Sequence, residues 1–204
     1  MIVIDNFITD MGTLAEIAAC EEFHKPKQWG WWDGWWAAQP QSMIEHIVQR
    51  IWGEQCPFPT ADFPTTIAGF EYWTLAHEAK PPDRTGRPDS TSNGGDRLER
   101  HRDRDETLFA RTGETKYPRI GAVFYPLDHH VKGGNLKIYD DDSDVSAYEL
   151  IRPRYNRLVL FDSSVPHEVT PVIAGRRYAM AVNVWNYRIQ PPSPRSDYGA
   201  ARDS

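Results

Sequence analysis

Cysteine is almost absent: Cys20 and Cys56 are the only two in 204 residues. Two thiols make no disulfide framework, and neither sits in a Cys-x-x-Cys pair. A reducing, cytoplasmic home is the expectation. Long apolar runs are missing as well. Nothing approaches the roughly 18 apolar residues that cross a bilayer, and Met1-Ile2-Val3-Ile4-Asp5 lacks the basic and apolar regions of a signal peptide. Basic charge is not in excess, with 23 Lys and Arg against 29 Asp and Glu and a net charge of -6. That weighs against a nucleic-acid backbone as the main partner, and no membrane partner is expected. Internal repeats and low-complexity tracts are also missing.

What is present is ordinary in bulk and unusual in its aromatics. Hydrophobic residues make up 40% and charged residues 25%, as in a soluble globular domain. The length suits one domain with a real core. Yet there are eight Trp, five of them between Trp29 and Trp36. This cluster has two readings, a stacking platform for substrate or core wedged beneath helices, and the core reading is the stronger.

The first third reads as helical. Thr9 or Asp10 can cap a helix carrying Met11, Leu14, Ile17 and Ala18, with Cys20 buried in that stretch. Gln41 to Trp52 places Met43, Ile44, Ile47, Val48, Ile51 and Trp52 on one helical face. Glycines break any helix in the Trp-rich stretch between. From Ile67 the pattern turns to strands: Gly69 to Leu75, Ile120 to Tyr125, Leu136 to Tyr139, Tyr148 to Ile151, Leu158 to Phe161 and Tyr178 to Trp185. Helices followed by short strands separated by turns predict an α+β order with an antiparallel barrel or sandwich. Glu78 to Asp96 is a long Pro-, Gly- and Ser-rich loop, read as a lid or as a disordered insertion.

His101-Arg102-Asp103 places two ligand-type side chains at i and i+2, on one side of an extended chain. His167, far downstream in another β-like segment, supplies a third. Two imidazoles and a carboxylate on one face of a metal suit Fe(II) with open positions. The bland alternative is a solvated loop, because residues 100–105 are densely charged. Arg177 follows His167 by ten residues. Its planar fork fits the far carboxylate of a dicarboxylate chelated at the metal, whereas a surface salt bridge is the plainer reading. Strand alternation puts Arg177, Ala179, Ala181, Asn183 and Trp185 on one face. Tyr178, Met180, Val182 and Val184 lie on the other, apolar face.

These motifs resemble a known family. Pro166-His167-Glu168-Val169-Thr170-Pro171-Val172, then Gly175, Arg177-Tyr178-Ala179 and Trp185, is similar to the final motif of the prolyl 4-hydroxylase-like 2-oxoglutarate/Fe(II) dioxygenases, most of all the hypoxia-factor prolyl hydroxylases. Arg119 to Asp128 resembles their central strand, Gly133 to Tyr139 their Gly-Gly-x-Leu strand, and Ile4 to Ile8 their first strand and turn. The likeness is strong from about Arg97 to Asn186.

The resemblance implies a double-stranded β-helix, a cupin-like jelly-roll braced by N-terminal helices. Residues 1–66 would be the helical support, 67–190 the jelly-roll core and 191–204 a tail. It implies Fe(II) on His101, Asp103 and His167. The cosubstrate 2-oxoglutarate would lie on Arg177, with O₂ as oxidant and ascorbate as an accessory candidate. The activity implied is hydroxylation of an unactivated C–H, with peptidyl proline the leading substrate. A free amino acid or other small molecule is the alternative within enzymes, and a non-catalytic jelly-roll binding module the alternative outside them. One departure is notable. The family has a Tyr before the Leu of its central strand that helps hold the far carboxylate, and Pro126 stands there. Tyr125 is expected to face away, which leaves Tyr72 as the substitute hydroxyl.

Overall fold

The computed structural model describes residues 1–25, 29–53, 66–79, 97–128, 130–141 and 143–191. In chain order the elements are β1 (Ile2–Ile4), α1 (Met11–Ala19), a 3-10 turn (Glu21–Phe23), β2 (Trp29–Trp32), α2 (Met43–Trp52), β3 (Gly69–Glu78) and β4 (Leu98–His101). Next come α3 (Glu106–Thr112), β5 (Ile120–Phe124), β6 (Lys132–Gly133), β7 (Leu136–Tyr139), β8 (Tyr148–Ile151) and β9 (Leu158–Phe161). The chain closes with β10 (His167–Val169), β11 (Val172–Ala174) and β12 (Arg176–Trp185).

Both N-terminal helices form for local reasons. Asp10 caps α1 by accepting the Thr13 amide at 2.7 Å, and Ser42 caps α2 by accepting the Glu45 amide at 3.2 Å. Gly53 ends α2 by donating its N–H to Gln49 O. The buried face of α2 is Ile44, Ile47, Val48, Ile51 and Trp52, at the helical spacing read from the sequence. Cys20 lies just past α1 and is half-buried rather than buried.

The strands form two principal antiparallel sheets. One has six strands in the order β1-β9-β5-β12-β3-β2, the other four in the order β4-β10-β7-β8. The small sheet β11-β6 joins them at one end. The helices cover the outer face of the large sheet, where Phe7, Ile17, Ile47 and Trp52 meet Phe70, Phe124, Met180, Val182 and Val184. The two sheets face each other across a second core of Val123, Tyr125, Leu136, Ile138, Ile151, Val159, Phe161, Val169 and Ala179. The strand alternation expected for residues 177–185 is what divides β12 between these two cores.

Three features exceed the sequence reading. β3 runs on to Glu78, three residues past the expected Leu75. The Trp-rich stretch contributes an edge strand, β2, paired with β3 through Trp29↔Trp73 and Trp31↔Glu71. A short helix, α3, follows the His101–Asp103 pair, capped by Asp105 and stopped by Gly113 at φ 73°. The Trp cluster divides. Trp32, Trp35 and Trp36 crowd Phe70 at ring distances of 5.7 to 5.9 Å. Trp29 and Trp31 fall on the opposite face of β2. The expected lid falls almost wholly on residues 80–96, outside the described residues, as does Cys56.

Candidate active site

His101 is the last residue of β4, Asp103 lies two residues beyond it, and His167 opens β10. The strands β4 and β10 pair with His167 directly opposite His101. That pairing brings the far-downstream imidazole to the local pair. One ligand atom from each residue lies within 4.8 Å of the others. His101 Nε2 is 3.5 Å from Asp103 Oδ1, and His167 Nε2 is 3.7 Å from Asp103 Oδ2. The other ring nitrogens are engaged: His101 Nδ1 lies 2.7 Å from Glu99 O, and His167 Nδ1 lies 3.0 Å from Val165 O. A carbonyl on Nδ1 requires the proton there and leaves Nε2 as a bare donor turned to the centre of the group. Two neutral imidazole donors and a carboxylate fit a divalent first-row metal.

The three groups are also coupled electrostatically. Burial alone would raise the Asp103 carboxyl, but His167 and His101 beside it hold it well below the usual carboxylate range. Burial opposes charge on His101, yet the Asp103 carboxylate outweighs it and raises the ring.

The three side chains line a cavity of about 440 Å³, mouth included, together with Arg177, Asn183 and a largely apolar wall. That wall includes Leu75, Leu98, Val123, Leu136, Phe161 and Val169. Arg177 is 1% exposed, and its Nε and Nη1 have no hydrogen-bond acceptor among the described residues. A guanidinium does not lose its charge, so two buried N–H groups without an acceptor fit an anion brought from outside. Gly134, at φ 64°, makes room for the Arg177 stem: a Cβ there would lie 2.9 Å from Arg177 Cδ.

Two expectations about tyrosines need correction. Tyr72 does not reach this cavity. It sits on the helix-covered face of β3, where its hydroxyl donates to Glu45 Oε1 of α2 at 3.4 Å. Burial first, and then Glu45, push its pKa up to about 12. Tyr125, expected to face away, belongs to the core between the sheets, and the Arg177 guanidinium lies 5.2 Å from its ring centre. The reason is strand parity. In β5, Ala122 and Phe124 face the helices, so Gly121 and Val123 face the cavity, and Tyr125 follows them.

One group escaped notice in the sequence. Glu71 of β3 is buried and accepts hydrogen bonds from Trp29 Nε1 at 2.9 Å, Trp185 Nε1 at 3.0 Å and Asn183 Nδ2 at 3.5 Å. Burial foremost, with Asp103 adding to it against the Trp29 bond, raises its pKa to about 7. The available signal was a lone Glu within Gly-Phe-Glu-Tyr-Trp, at the same parity as Trp73 and Leu75.

Residues 90–185 match the family model of the 2OG-Fe(II) oxygenase superfamily. The fold is similar to that of a prolyl-4-hydroxylase from Pseudomonas putida, at 18% identity and a TM-score of 0.53, covering 92% of each chain. It is similar also to a 2OG-Fe(II) oxygenase family oxidoreductase from Burkholderia pseudomallei. That match has 14% identity and a TM-score of 0.52, covering 88% of this chain and 82% of that one. The viral collagen prolyl hydroxylase of Paramecium Bursaria Chlorella virus-1 is a third likeness. Its identity is 12% and its TM-score 0.50, covering 92% of this chain and 96% of that one. No curated protein matches the chain in sequence. The matched residues include His101, Asp103, His167 and Arg177, and the likeness to the 2OG-Fe(II) oxygenase superfamily supports an enzyme of that kind, a 2-oxoglutarate-dependent non-haem iron dioxygenase. No helix among the described residues is long and apolar enough to cross a membrane.

Proposed function

We propose that this protein hydroxylates an unactivated C–H, with peptidyl proline as the leading substrate, and that the two facing sheets form a double-stranded β-helix around the site. His101, Asp103 and His167 would hold Fe(II), and Arg177 would receive the distal carboxylate of 2-oxoglutarate. The bound metal would supply oxidation of the substrate C–H by O₂, coupled to loss of CO₂ from 2-oxoglutarate to give succinate.

The observation that carries this reading is the buried guanidinium of Arg177, with two unanswered N–H groups, in the cavity that the three ligand-type residues also line. A planar fork binds a carboxylate in register and so orients the rest of the dicarboxylate. The apolar wall suits its methylenes and keeps water from the reacting end. Tyr125, whose ring centre lies 5.2 Å from the guanidinium, would share the carboxylate with Arg177. The backbone carbonyls on His101 and His167 fix the ring orientation and turn each Nε2 toward the place a metal would take.

Peptidyl proline rests on the likeness to two prolyl hydroxylases, and fold alone does not fix substrate. A free amino acid or other small molecule is the second reading within enzymes. Anaerobic titration of the Fe(II)-loaded protein with 2-oxoglutarate tests the site. A weak visible charge-transfer band is expected, lost in His101→Ala and Asp103→Ala. Succinate release stimulated by proline-containing peptides, and not by free amino acids, would then support the peptide substrate. Bound iron without any band would remove 2-oxoglutarate from the site.

A further inference from the structure

Asp103 has a neighbour that belongs to no ligand set. Asn183 Nδ2 lies 3.2 Å from Asp103 Oδ2 and 3.5 Å from Glu71 Oε2. Asn183 is 2% exposed and Glu71 5% exposed, so neither answers to solvent. The amide stands between two carboxylates, and a carboxylate only accepts when ionised. The NH₂ end faces both of them, one hydrogen to each, an orientation fixed while both are ionised.

Three independent features hold this bridge. Asn183 and Glu71 are cross-strand partners on β12 and β3, and Asn183 is opposite Gly121 on β5. Two indole N–H groups clamp Glu71: Trp29 from the edge strand β2 and Trp185 from the end of β12. Gly121 leaves the space beneath. A Cβ there would lie 2.8 Å from Ser163 Cβ and 3.2 Å from Asn183 Oδ1, so a side chain would displace Ser163 and press on the amide. Backbone adds a further restraint, since the Asp103 N–H donates to Ser163 O at 3.2 Å.

We propose that Asn183 is a positioning residue for Asp103, and that Glu71, clamped by Trp29 and Trp185, acts through Asn183 to fix the direction of the Asp103 carboxylate. Neither residue is one of the three ligand-type groups, although Asn183 lines the same cavity. The inference rests on the reading of His101, Asp103 and His167 as metal ligands. Partners that orient a ligating carboxylate are worth about 10- to 100-fold in metal affinity.

The test is a double-mutant cycle read by metal affinity, with Mn(II) alone as probe and the free ion followed by electron paramagnetic resonance. This needs neither O₂ nor substrate. Asn183→Leu keeps the size and removes both donors, and its Mn(II) dissociation constant is expected to rise about 10- to 100-fold. Glu71→Gln loosens the amide from one side and is expected to cost less, about 3- to 10-fold, by the same route. In the double variant the loss should equal that of Asn183→Leu alone, because Glu71 has nothing left to act through. Asn183→Ala, which adds no branched side chain, serves as the check on packing and should reproduce the loss. A general loosening of the fold would instead give additive losses that track the thermal midpoint of the metal-free proteins. Additive losses, or an Asn183→Leu protein that binds Mn(II) like wild type, overturn the proposal. Wild-type protein that takes up no Mn(II) overturns the metal reading itself and this inference with it.

Discussion

A buried guanidinium is costly to keep, and Arg177 Nε and Nη1 meet no acceptor among the described residues, which is in keeping with the proposed binding of a carboxylate. Arg177→Met retains most of the side-chain volume and removes the charge. The metal-free variant is expected to be more stable than wild type, by about 1 kcal/mol or more, as when other buried charges are replaced by apolar groups. The same change should raise the KM for 2-oxoglutarate about 100-fold or more, as truncating one partner of a buried ion pair does, while Mn(II) affinity stays near that of wild type. Paired thermal melts and steady-state kinetics check this, and a less stable variant would mean that the guanidinium has a partner in the free protein. Glu71 makes a second prediction at this scale. Burial raises its folded-state pKa from 4.5 to about 7. The folded state therefore holds a proton that the unfolded state has lost, and its stability falls as pH rises between those values. The loss is roughly 3 kcal/mol across the window. His101 is raised too and acts in the same direction, so the comparison that isolates Glu71 is wild type against Glu71→Gln, both metal-free. Urea midpoints between pH 5 and pH 8 should fall more steeply for wild type. Parallel curves would mean that Glu71 does not titrate there.

Strand faces decide which side chains reach the cavity. A shift of one residue moves a side chain to the other face of a sheet. Tyr72 and Tyr125 show this. The sequence reading turns Tyr125 away from Arg177 and leaves Tyr72 as the substitute hydroxyl, whereas the sheets put Tyr72 under the helices and Tyr125 between the sheets. Tyr125→Phe is expected to raise the KM for 2-oxoglutarate about tenfold or more, the worth of a hydrogen bond to a charged group. Tyr72→Phe should leave that KM unchanged and disturb only the contact with Glu45 of α2. Equal kinetic effects of the two changes would mean that the sheet faces are wrongly placed. The helices were plainer. α2 was readable from its apolar stripe, whereas α3 was hidden because seven residues give little periodicity to read.

On the scale of the whole molecule, the proposed ligand set joins two elements of the four-stranded sheet that are far apart in the chain. The metal would tie the end of β4 to the start of β10, so binding should stabilise the native state alone. With free metal at about 100 times its dissociation constant the gain is about 2.7 kcal/mol, or roughly 5 to 10 °C in the unfolding midpoint for a chain of this size. Scanning calorimetry with and without Mn(II) measures it, and Asp103→Ala should abolish the shift. An undiminished shift in Asp103→Ala would place the ion elsewhere.

The sequence by itself determined the residue types, the strand and helix periods and the local i, i+2 geometry of His101 and Asp103. These are short-range properties, set by backbone repeats and side-chain chemistry, and they carried the α+β order, the two-faced β12 and the motif around His167. Tertiary structure alone decided the rest. It placed His167 opposite His101, turned Tyr125 inward and Tyr72 outward, sent the tryptophans to two sides of β2, and set Asn183 between two carboxylates. Each of these depends on which strands pair and in what register. That choice is fixed by burying two cores at once, which no local stretch of chain encodes.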